Sequence, residues 1–195
     1  RTGWRIEQAF KEATLRLDVY LYKHYKRLDF DAEILNWSGE KYKEFRMAFP
    51  VNMPDGQVAY EVPYGALEVR KDEINAIPFK GWYSQPAYDI HPREVQDWIA
   101  VSDGKQTVML SSSVAVWDYL DSEAKKDRFT LLQPLLLAAR KSVHGLGNWY
   151  LQNGDHRYHF SLTSFEGDWR NNVRFGNEIN APFPSVFTGP QAIGN

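Results

Sequence analysis

Three acidic residues at alternate positions, Asp29, Asp31 and Glu33, are the first in the chain whose types and spacing could bind a cation. The hydrophobic residues between them predict a β-strand, on which side chains two positions apart lie on one face. Three carboxylates on one strand face could bind a metal ion such as calcium. Because calcium sites usually collect their ligands from a curved loop, we favour the interpretation of a solvated polar face.

Two histidines three positions apart, His156 and His159, would share one face of a helix and could bind one metal ion there. The surrounding stretch, Asn148–Trp169, instead alternates apolar and polar residues, which is typical of a half-buried antiparallel strand. On a strand the two histidines point to opposite faces, which argues against a joint metal site. One face is predicted to carry His156, Tyr158, Phe160 and Leu162, and the other Arg157, His159, Ser161 and Thr163.

Other motifs lack the context that their chemistry needs. Ser111-Ser112-Ser113 has no flanking glycines of the nucleophile-elbow type, so it indicates a strand end or a loop. Gly145-Leu146-Gly147 is too short for a dinucleotide fingerprint and precedes a predicted strand. The basic run Lys23–Arg27 indicates a plain surface patch. Any two of the 25 acidic residues could meet as a glycosidase pair, but no pair stands out in the sequence.

Composition restricts the class of protein further. A chain of 195 residues can bury one sizeable core, and no apolar run is long enough to cross a bilayer. With a net charge of −2 as well, we expect neither a nucleic-acid nor a membrane partner. The absence of Cys excludes disulfides and Cys-based zinc sites but does not define the compartment. Because the sequence begins at Arg1 with neither Met nor a signal peptide, we expect a piece excised from a longer protein.

Alternating patterns and turn residues predict about ten strands and almost no helix. The predicted strands include one continuous strand over Phe45–Val51 and a buried strand over Phe129–Ala139 that is broken at Pro134. Asp103-Gly104 predicts a hairpin turn. The fold class that follows is all-β, a large antiparallel β-sandwich formed by residues 1–195 as a single domain.

Three segments are not part of the regular strand pattern. Residues 1–14 are expected to form a lead-in with one helical turn or an edge strand. Residues 71–92 are rich in Pro and without a period, so they predict a long connection. A short helix or turn is expected near Asn171–Asn177.

Five segments carry a further signal through their order along the chain: Ile34–Trp37 with Phe45–Val51 (I-L-N-W, F-R-M-A-F-P-V), Ala59–Gly65 (A-Y-E-V-P-Y-G), Gln96–Gly104 (Q-D-W-I-A-V-S-D-G), Gly154–Leu162 (G-D-H-R-Y-H-F-S-L) and Asn177–Pro182 (N-E-I-N-A-P). In this order they resemble the C-terminal β-domain region of glycoside hydrolase family 38 α-mannosidases. The chain departs from that family at Met109–Ser112, where the family has Leu-Leu-Asn-Asp, and at Ser164-Phe165, where it has Pro-His.

The resemblance implies a supersandwich of the galactose mutarotase-like type, packed against an N-terminal α/β barrel and a helical bundle of the same polypeptide. It also implies that the catalytic Asp residues and a zinc ion lie in that barrel, since no position of this chain matches those motifs. We therefore expect no catalytic residue and no cofactor here. The expected role is a non-catalytic β-domain of an α-mannosidase-like, retaining hydrolase, which supports the barrel and lines part of the cleft for α-mannoside-containing glycans.

The candidate sugar contact is the glycine loop that contains His144, Asn148 and Trp149. Glycine lets backbone approach a ligand, Trp offers a flat face to a pyranose ring, and His and Asn offer partners to hydroxyl groups. The alternative interpretation is a turn that buries its Trp in the core. Secondary candidates are Trp37, Trp82 and Tyr83.

Two other functions stay open from the sequence. A stand-alone carbohydrate-binding, lectin-like module would show sugar affinity and an exposed aromatic platform. A mutarotase-like enzyme would need a His and a Glu facing one concave surface. A support domain would instead expose a large apolar patch where the barrel packs.

Overall fold

The computed structural model describes residues 1–73, 93–120, 130–142 and 146–180, with backbone alone for residues 118–120. The strands in these ranges are β1 (Thr2–Ala9), β2 (Thr14–Leu21), β3 (Leu28–Trp37), β4 (Glu44–Arg46), β5 (Phe49–Val51), β6 (Gln57–Val62), β7 (Gly65–Glu68), β8 (Arg93–Glu94), β9 (Trp98–Ser102), β10 (Gln106–Ser112), β11 (Val116–Leu120), β12 (Thr130–Ala138), β13 (Arg140–Lys141), β14 (Trp149–Tyr150) and β15 (Gly154–Glu166). A 3₁₀ turn (Trp169–Asn172) then leads into the helix α1 (Val173–Asn180). No helix in these ranges is both long and apolar enough to cross a membrane.

Eight strands form one antiparallel sheet in the order β1-β2-β3-β15-β10-β9-β6-β7. The predicted strand β15 lies at its centre, where Phe160 pairs with Phe30 of β3 and Ser161 pairs with Ser111 of β10. Its alternation is confirmed, since Phe160 is buried among apolar residues while Arg157 and His159 are exposed on the other side. The lead-in is confirmed as an edge strand, because β1 pairs with β2 alone.

A second sheet, β4-β12-β11-β8 with β5 beside β12, packs against the inner face of the large sheet. The main core lies between them and includes Phe49, Trp117, Leu132 and Phe160. Phe49 packs edge-on against Phe30, with ring centroids 5.3 Å apart. The expected fold class, a large antiparallel all-β sandwich, is confirmed.

The prediction of one continuous strand over Phe45–Val51 is wrong. The structure divides it into β4 and β5, which pair with different parts of β12. The division falls opposite Pro134, which has no N–H for the ladder, and the register shifts between Leu135 and Leu137. The break that the sequence predicted within the Phe129–Ala139 strand is wrong, because β12 runs through Pro134 without interruption and only its partner is divided.

The outer face of the large sheet is covered at one end by α1 and the preceding turn. Trp169 packs on Trp98, with ring centroids 5.3 Å apart, and both belong to a small cluster with Met109. Gly176 lies so close to Trp98 that an added Cβ would be 2.3 Å from Trp98 Cδ1. The short helix expected near Asn171–Asn177 is confirmed, with its end three residues further on.

Candidate functional site

Trp149 and Tyr42 form an aromatic pair at the surface, which we call the Trp149 platform. Trp149 lies on β14, directly opposite Lys141 of β13, in a two-stranded ladder. The two rings meet edge to face with centroids 4.7 Å apart and planes at 79°. Trp149 is half-buried, whereas Tyr42 is 75% exposed. The platform therefore presents aromatic surface to solvent, mainly through Tyr42, while the predicted sugar contact of Trp149 stays a prediction.

The backbone of Tyr42 positions its ring. Tyr42 has φ of +57°, in the left-handed region that side chains other than glycine rarely adopt. Such a conformation costs about 1 kcal/mol and persists only where its surroundings hold it. Here the Tyr42 N–H donates to the Ala139 carbonyl at 3.0 Å, and the Ala139 N–H donates to the Lys43 carbonyl at 2.8 Å. These two bonds join the chain around Tyr42 to the end of β12.

Two ammonium groups approach the Trp149 ring. Lys41 Nζ lies 5.0 Å and Lys141 Nζ 5.9 Å from its centroid, within the range of a cation–π interaction. Neither lysine forms an ion pair with a carboxylate in the described part of the chain. The platform thus carries two positive charges without a described counter-charge.

Glu44 is close in sequence to Lys41, but its carboxylate is already bound by two arginines. It accepts hydrogen bonds from Arg46 and from Arg140. Burial acts to raise the pKa of Glu44, but these two guanidinium groups outweigh it and hold the pKa below its ordinary value. Glu44 is therefore ionised and neutralised by arginine.

The structure places the predicted contact residues as follows. Asn148 is exposed, and its carbonyl accepts the Ser142 N–H at 2.9 Å, which closes the loop next to Trp149. An added Cβ on Gly147 would lie 2.0 Å from Ser142 Oγ, so this glycine serves a close approach within the loop. His144, Trp82 and Tyr83 lie outside the described residues.

Trp37 was predicted as a secondary sugar contact, and this prediction is wrong. The side chain is only 2% exposed. Its Nε1–H donates to the Leu151 carbonyl at 2.7 Å, and its ring packs edge-on against Phe45 at 5.1 Å. Trp37 is a core residue that ties β3 to the segment before β15.

Three residues of this site were not predicted from the sequence: Tyr42 of the platform and the two lysines beside it, Lys41 and Lys141. The only local signal is the basic-aromatic triplet Lys41-Tyr42-Lys43, which by itself is typical of an ordinary surface turn. Lys141 meets Trp149 through the β13–β14 pairing, which no local spacing indicates.

The three acidic residues on β3, Asp29, Asp31 and Glu33, were expected to form a solvated face. This prediction is wrong for Asp29. Asp29 is 3% exposed and accepts hydrogen bonds from the Tyr22 hydroxyl at 2.6 Å, Arg27 at 2.9 Å and Ser161 at 2.6 Å. Glu33 pairs with Arg16 at 2.9 Å and with Arg157 at 2.8 Å. Within the described ranges no group of three or more acids and histidines could hold a metal ion.

Asp31, His159 and Ser161 are arranged in the order of a hydrolytic triad. His159 Nδ1 lies 2.7 Å from Asp31 Oδ1, and His159 Nε2 lies 3.3 Å from Ser161 Oγ. Ser161 is nevertheless fully buried, and its hydroxyl donates to Asp29 Oδ1 at 2.6 Å. A nucleophile must be reachable and must give its proton to the histidine. This arrangement is therefore a cross-strand polar ladder.

His156 and His159 lie on opposite faces of β15, as predicted. His156 pairs with Ile34, and its Nε2 lies 2.5 Å from the Gln152 carbonyl. His159 faces Asp31 on the outer side. The two rings do not share a metal site.

A second surface feature is the uncovered inner face of β1 and β2, which we call the β1–β2 face. Trp4 is 55% exposed, Ile6 60% and Phe10 53%. These side chains continue the apolar inner face of the large sheet, since Ile6 pairs with Leu17, which packs on the main core. Beside them lies a groove of about 250 Å³ that is lined mainly by Ile6, Phe10, Leu15, Leu17, Met47 and Leu136.

Comparison with solved structures identifies two similar folds. An α-mannosidase from Enterococcus faecalis V583 aligns with a TM-score of 0.62 at 14% identity, over 88% of this chain and 18% of its own. A protein of glycosyl hydrolase family 38 from Enterococcus faecalis aligns with a TM-score of 0.61 at 16% identity, again over 88% and 18%. The chain thus spans about a fifth of the length of these structures.

Comparison of sequences gives the family. No curated protein matches the chain. The sequence-family model described as "Glycosyl hydrolases family 38 C-terminal domain" matches residues 2–116. This range contains three of the five segments on which the resemblance rests. Because this match covers more than half of its 195 residues, the chain belongs to the glycosyl hydrolase family 38 C-terminal domain family.

Proposed function

We propose that residues 1–195 form a single, non-catalytic β-sandwich domain of a longer α-mannosidase-like glycoside hydrolase. In this proposal the domain supports the catalytic barrel and the helical domain of the same polypeptide and lines part of the glycan cleft. Family membership supports the proposal, as does the small share of the two Enterococcus structures that the chain covers.

The observation that carries the supporting role is the exposure of the β1–β2 face. Trp4, Ile6 and Phe10 are each more than half exposed on a sheet face that elsewhere forms the core. Contiguous exposed apolar surface marks an interaction site in a folded protein. Fully burying such a side chain contributes about 1.5–3 kcal/mol, and roughly half of that remains to be gained here, because each side chain is already partly buried. The occupant that we propose is another part of the same polypeptide.

The chemistry is proposed to lie outside this chain. Retaining glycoside hydrolysis needs two carboxylates about 5–5.5 Å apart with access to the sugar. The carboxylates of Asp29, Asp31 and Glu33 are instead engaged by guanidinium, imidazole and hydroxyl groups of neighbouring strands. The zinc ion expected for the whole enzyme would be held by the catalytic barrel, and the described residues of this chain offer no site for it.

The proposed glycan contact is the Trp149 platform together with Asn148. An indole ring can pack against the C–H groups of a pyranose, and an exposed amide can bond to its hydroxyl groups. Tyr42 extends the aromatic surface, with 75% of it exposed. The platform would form one wall of the cleft.

The first experiment recovers the native polypeptide with an antibody against this chain and measures its mass. We expect a mass far above the 22.7 kDa of the chain, and zinc-dependent turnover of 4-nitrophenyl α-mannoside by the native polypeptide but not by the isolated chain. In the native polypeptide, the double variant W4E/I6E should lower thermal stability and activity. The control Y25E, at a side chain 72% exposed in the β2–β3 loop, should change neither.

Other outcomes identify other functions. A native protein of 22.7 kDa that binds mannosides without hydrolysis would replace the proposal with a stand-alone lectin-like module. Turnover by the isolated chain would place the catalytic groups in these residues. Full stability and activity of W4E/I6E would show that the β1–β2 face does not support the barrel.

A further inference from the structure

We propose that the Trp149 platform binds a sugar that carries a negative charge, as a carboxylate or a phosphate. This inference rests on the proposed glycan contact and specifies its ligand. It is argued from the charges around one aromatic ring, because a neutral pyranose would need the ring and not the two ammonium groups beside it.

The first argument is the convergence of two cations. Lys41 and Lys141 belong to separate segments of the chain, yet their ammonium groups lie 5.0 Å and 5.9 Å from the same ring centroid. Like charges near one point repel each other, and the face of an indole offsets only part of that repulsion. An anion beside the ring would reduce this repulsion and could form a charge-assisted hydrogen bond with an ammonium group.

The second argument is the contrast with several arginines, whose charges are already paired with carboxylates. On the outer face of β1–β3, Arg5 pairs with Asp18 at 2.7 Å, and Arg16 pairs with both Glu7 and Glu33 at 2.9 Å. Near the platform, Glu44 is shared by two arginines. Lys41 and Lys141 form no ion pair in the described part of the chain, so their ammonium groups are available to the anionic group of a ligand.

The third argument concerns the aromatic surface. Tyr42 meets Trp149 edge to face, with the ring planes at 79°. Because both ammonium groups approach the same ring, an anionic substituent on a sugar that contacts the platform would lie near at least one of them. Tyr42 and Asn148, which are the chain neighbours of Lys41 and Trp149, are exposed. A ligand with a ring and an anionic substituent matches this combination of partly covered aromatic surface, exposed amide and paired cations.

The test is a calorimetric titration of the intact chain with three probes built on one sugar ring: methyl α-mannoside, mannuronate and mannose 6-phosphate. We expect at least one charged probe to bind at least tenfold more tightly than the neutral one. The variant K41Q/K141Q should abolish that preference. The control K11Q/K105Q, which removes the same charge from two exposed lysines elsewhere, should retain it. The carboxylate and phosphate arms identify which anion is preferred.

A titration with inorganic phosphate alone tests whether the sugar ring contributes to binding in addition to the negative charge. Phosphate that binds as tightly as mannose 6-phosphate would overturn the sugar part of the inference. Equal binding of the neutral and charged probes, or a preference that survives in K41Q/K141Q, would overturn the anionic ligand and leave the proposed glycan contact intact. Failure of all probes to bind would overturn both the inference and the glycan contact, whereas the supporting role of the β1–β2 face is tested separately by W4E/I6E.

Discussion

The Arg93 guanidinium and the Glu73 carboxylate form an ion pair in which each side chain is 3% exposed. Arg93 Nε donates to Glu73 Oε1 at 2.6 Å, and Nη2 donates to Oε2 at 3.1 Å. The Tyr60 hydroxyl and the Arg70 N–H donate to the same carboxylate at 2.9 and 3.1 Å. The two partners stand 20 positions apart, so the pair joins the segment after β7 to the start of β8.

Replacing Arg93 by Met should destabilise the fold strongly, because it leaves a buried carboxylate without its cation. Loss of one partner of a buried pair typically costs about 3–5 kcal/mol. The free energy of unfolding in urea measures this cost. The double variant E73M/R93M is the control and should lose clearly less, since no buried charge is left. A loss below about 1 kcal/mol in R93M would show that the carboxylate is solvated or neutralised by its other partners.

The same carboxylate should make stability depend on pH. Burial acts to raise the pKa of Glu73, but the hydrogen bonds from Arg93, the Arg70 N–H and Tyr60 outweigh it, and the pKa lies below its ordinary value of 4.5. A lowered folded-state pKa gives stability that is fully present above the unfolded-state pKa. That stability is lost as the pH falls through the folded-state pKa.

The measurement is a series of urea unfolding curves between about pH 7 and pH 3. The wild-type chain should be least stable at the acid end, and E73Q should lose less stability over the same range because its side chain does not titrate. Parallel curves for the two proteins would contradict the lowered pKa of Glu73.

The contact between α1 and the large sheet gives a third prediction. An added Cβ at Gly176 would lie 2.3 Å from Trp98 Cδ1, in a buried cluster that cannot expand freely. Overpacking of this kind costs about 1–3 kcal/mol, which exceeds the gain of about 1 kcal/mol from replacing a helical glycine by alanine. G176A should therefore lower stability and increase hydrogen exchange within residues 169–180. The control G65A has no heavy atom within 4 Å of the added methyl group and should show neither effect.

The sequence predicted correctly those parts of the fold that short-range interactions determine. The hairpin around Asp103-Gly104 was predicted from its turn residues, and Gly104 adopts φ of +82°. Asp103 Oδ1 accepts the N–H groups of Lys105 and Gln106, each at 2.8 Å, so the turn is fixed within a few residues. The centre of β15 was predicted equally well, because one buried and one polar face impose strict alternation.

The features that the sequence did not predict depend on contacts between residues far apart in the chain. The burial of Trp37 depends on the Leu151 carbonyl, which is 114 positions away. The division of β4 from β5 depends on a proline in β12. The Trp149 platform depends on Tyr42 meeting the end of β12, and no local pattern indicates this contact. The parts of the predicted contact that lie outside the described residues, His144, Trp82 and Tyr83, stay predictions.

The left-handed conformation of Tyr42 gives the last prediction. Y42G and Y42A both remove the ring that meets Trp149, so both should shift the total emission of the 7 tryptophans to longer wavelength by a similar amount. They differ in the backbone, because glycine adopts φ of +57° without strain while alanine does not. Y42G should therefore be more stable than Y42A by about 1 kcal/mol in urea unfolding.

The matched pair for this comparison is N153G and N153A, at an exposed position where no positive φ is present. There alanine should be at least as stable as glycine, because glycine loses more conformational freedom on folding. If Y42A were as stable as Y42G, the hydrogen bond from the Tyr42 N–H to the Ala139 carbonyl would not hold the backbone in the left-handed region. The ring would then reach Trp149 from a relaxed turn, and the two lysines would lose the fixed aromatic surface to which the anionic ligand is proposed to bind.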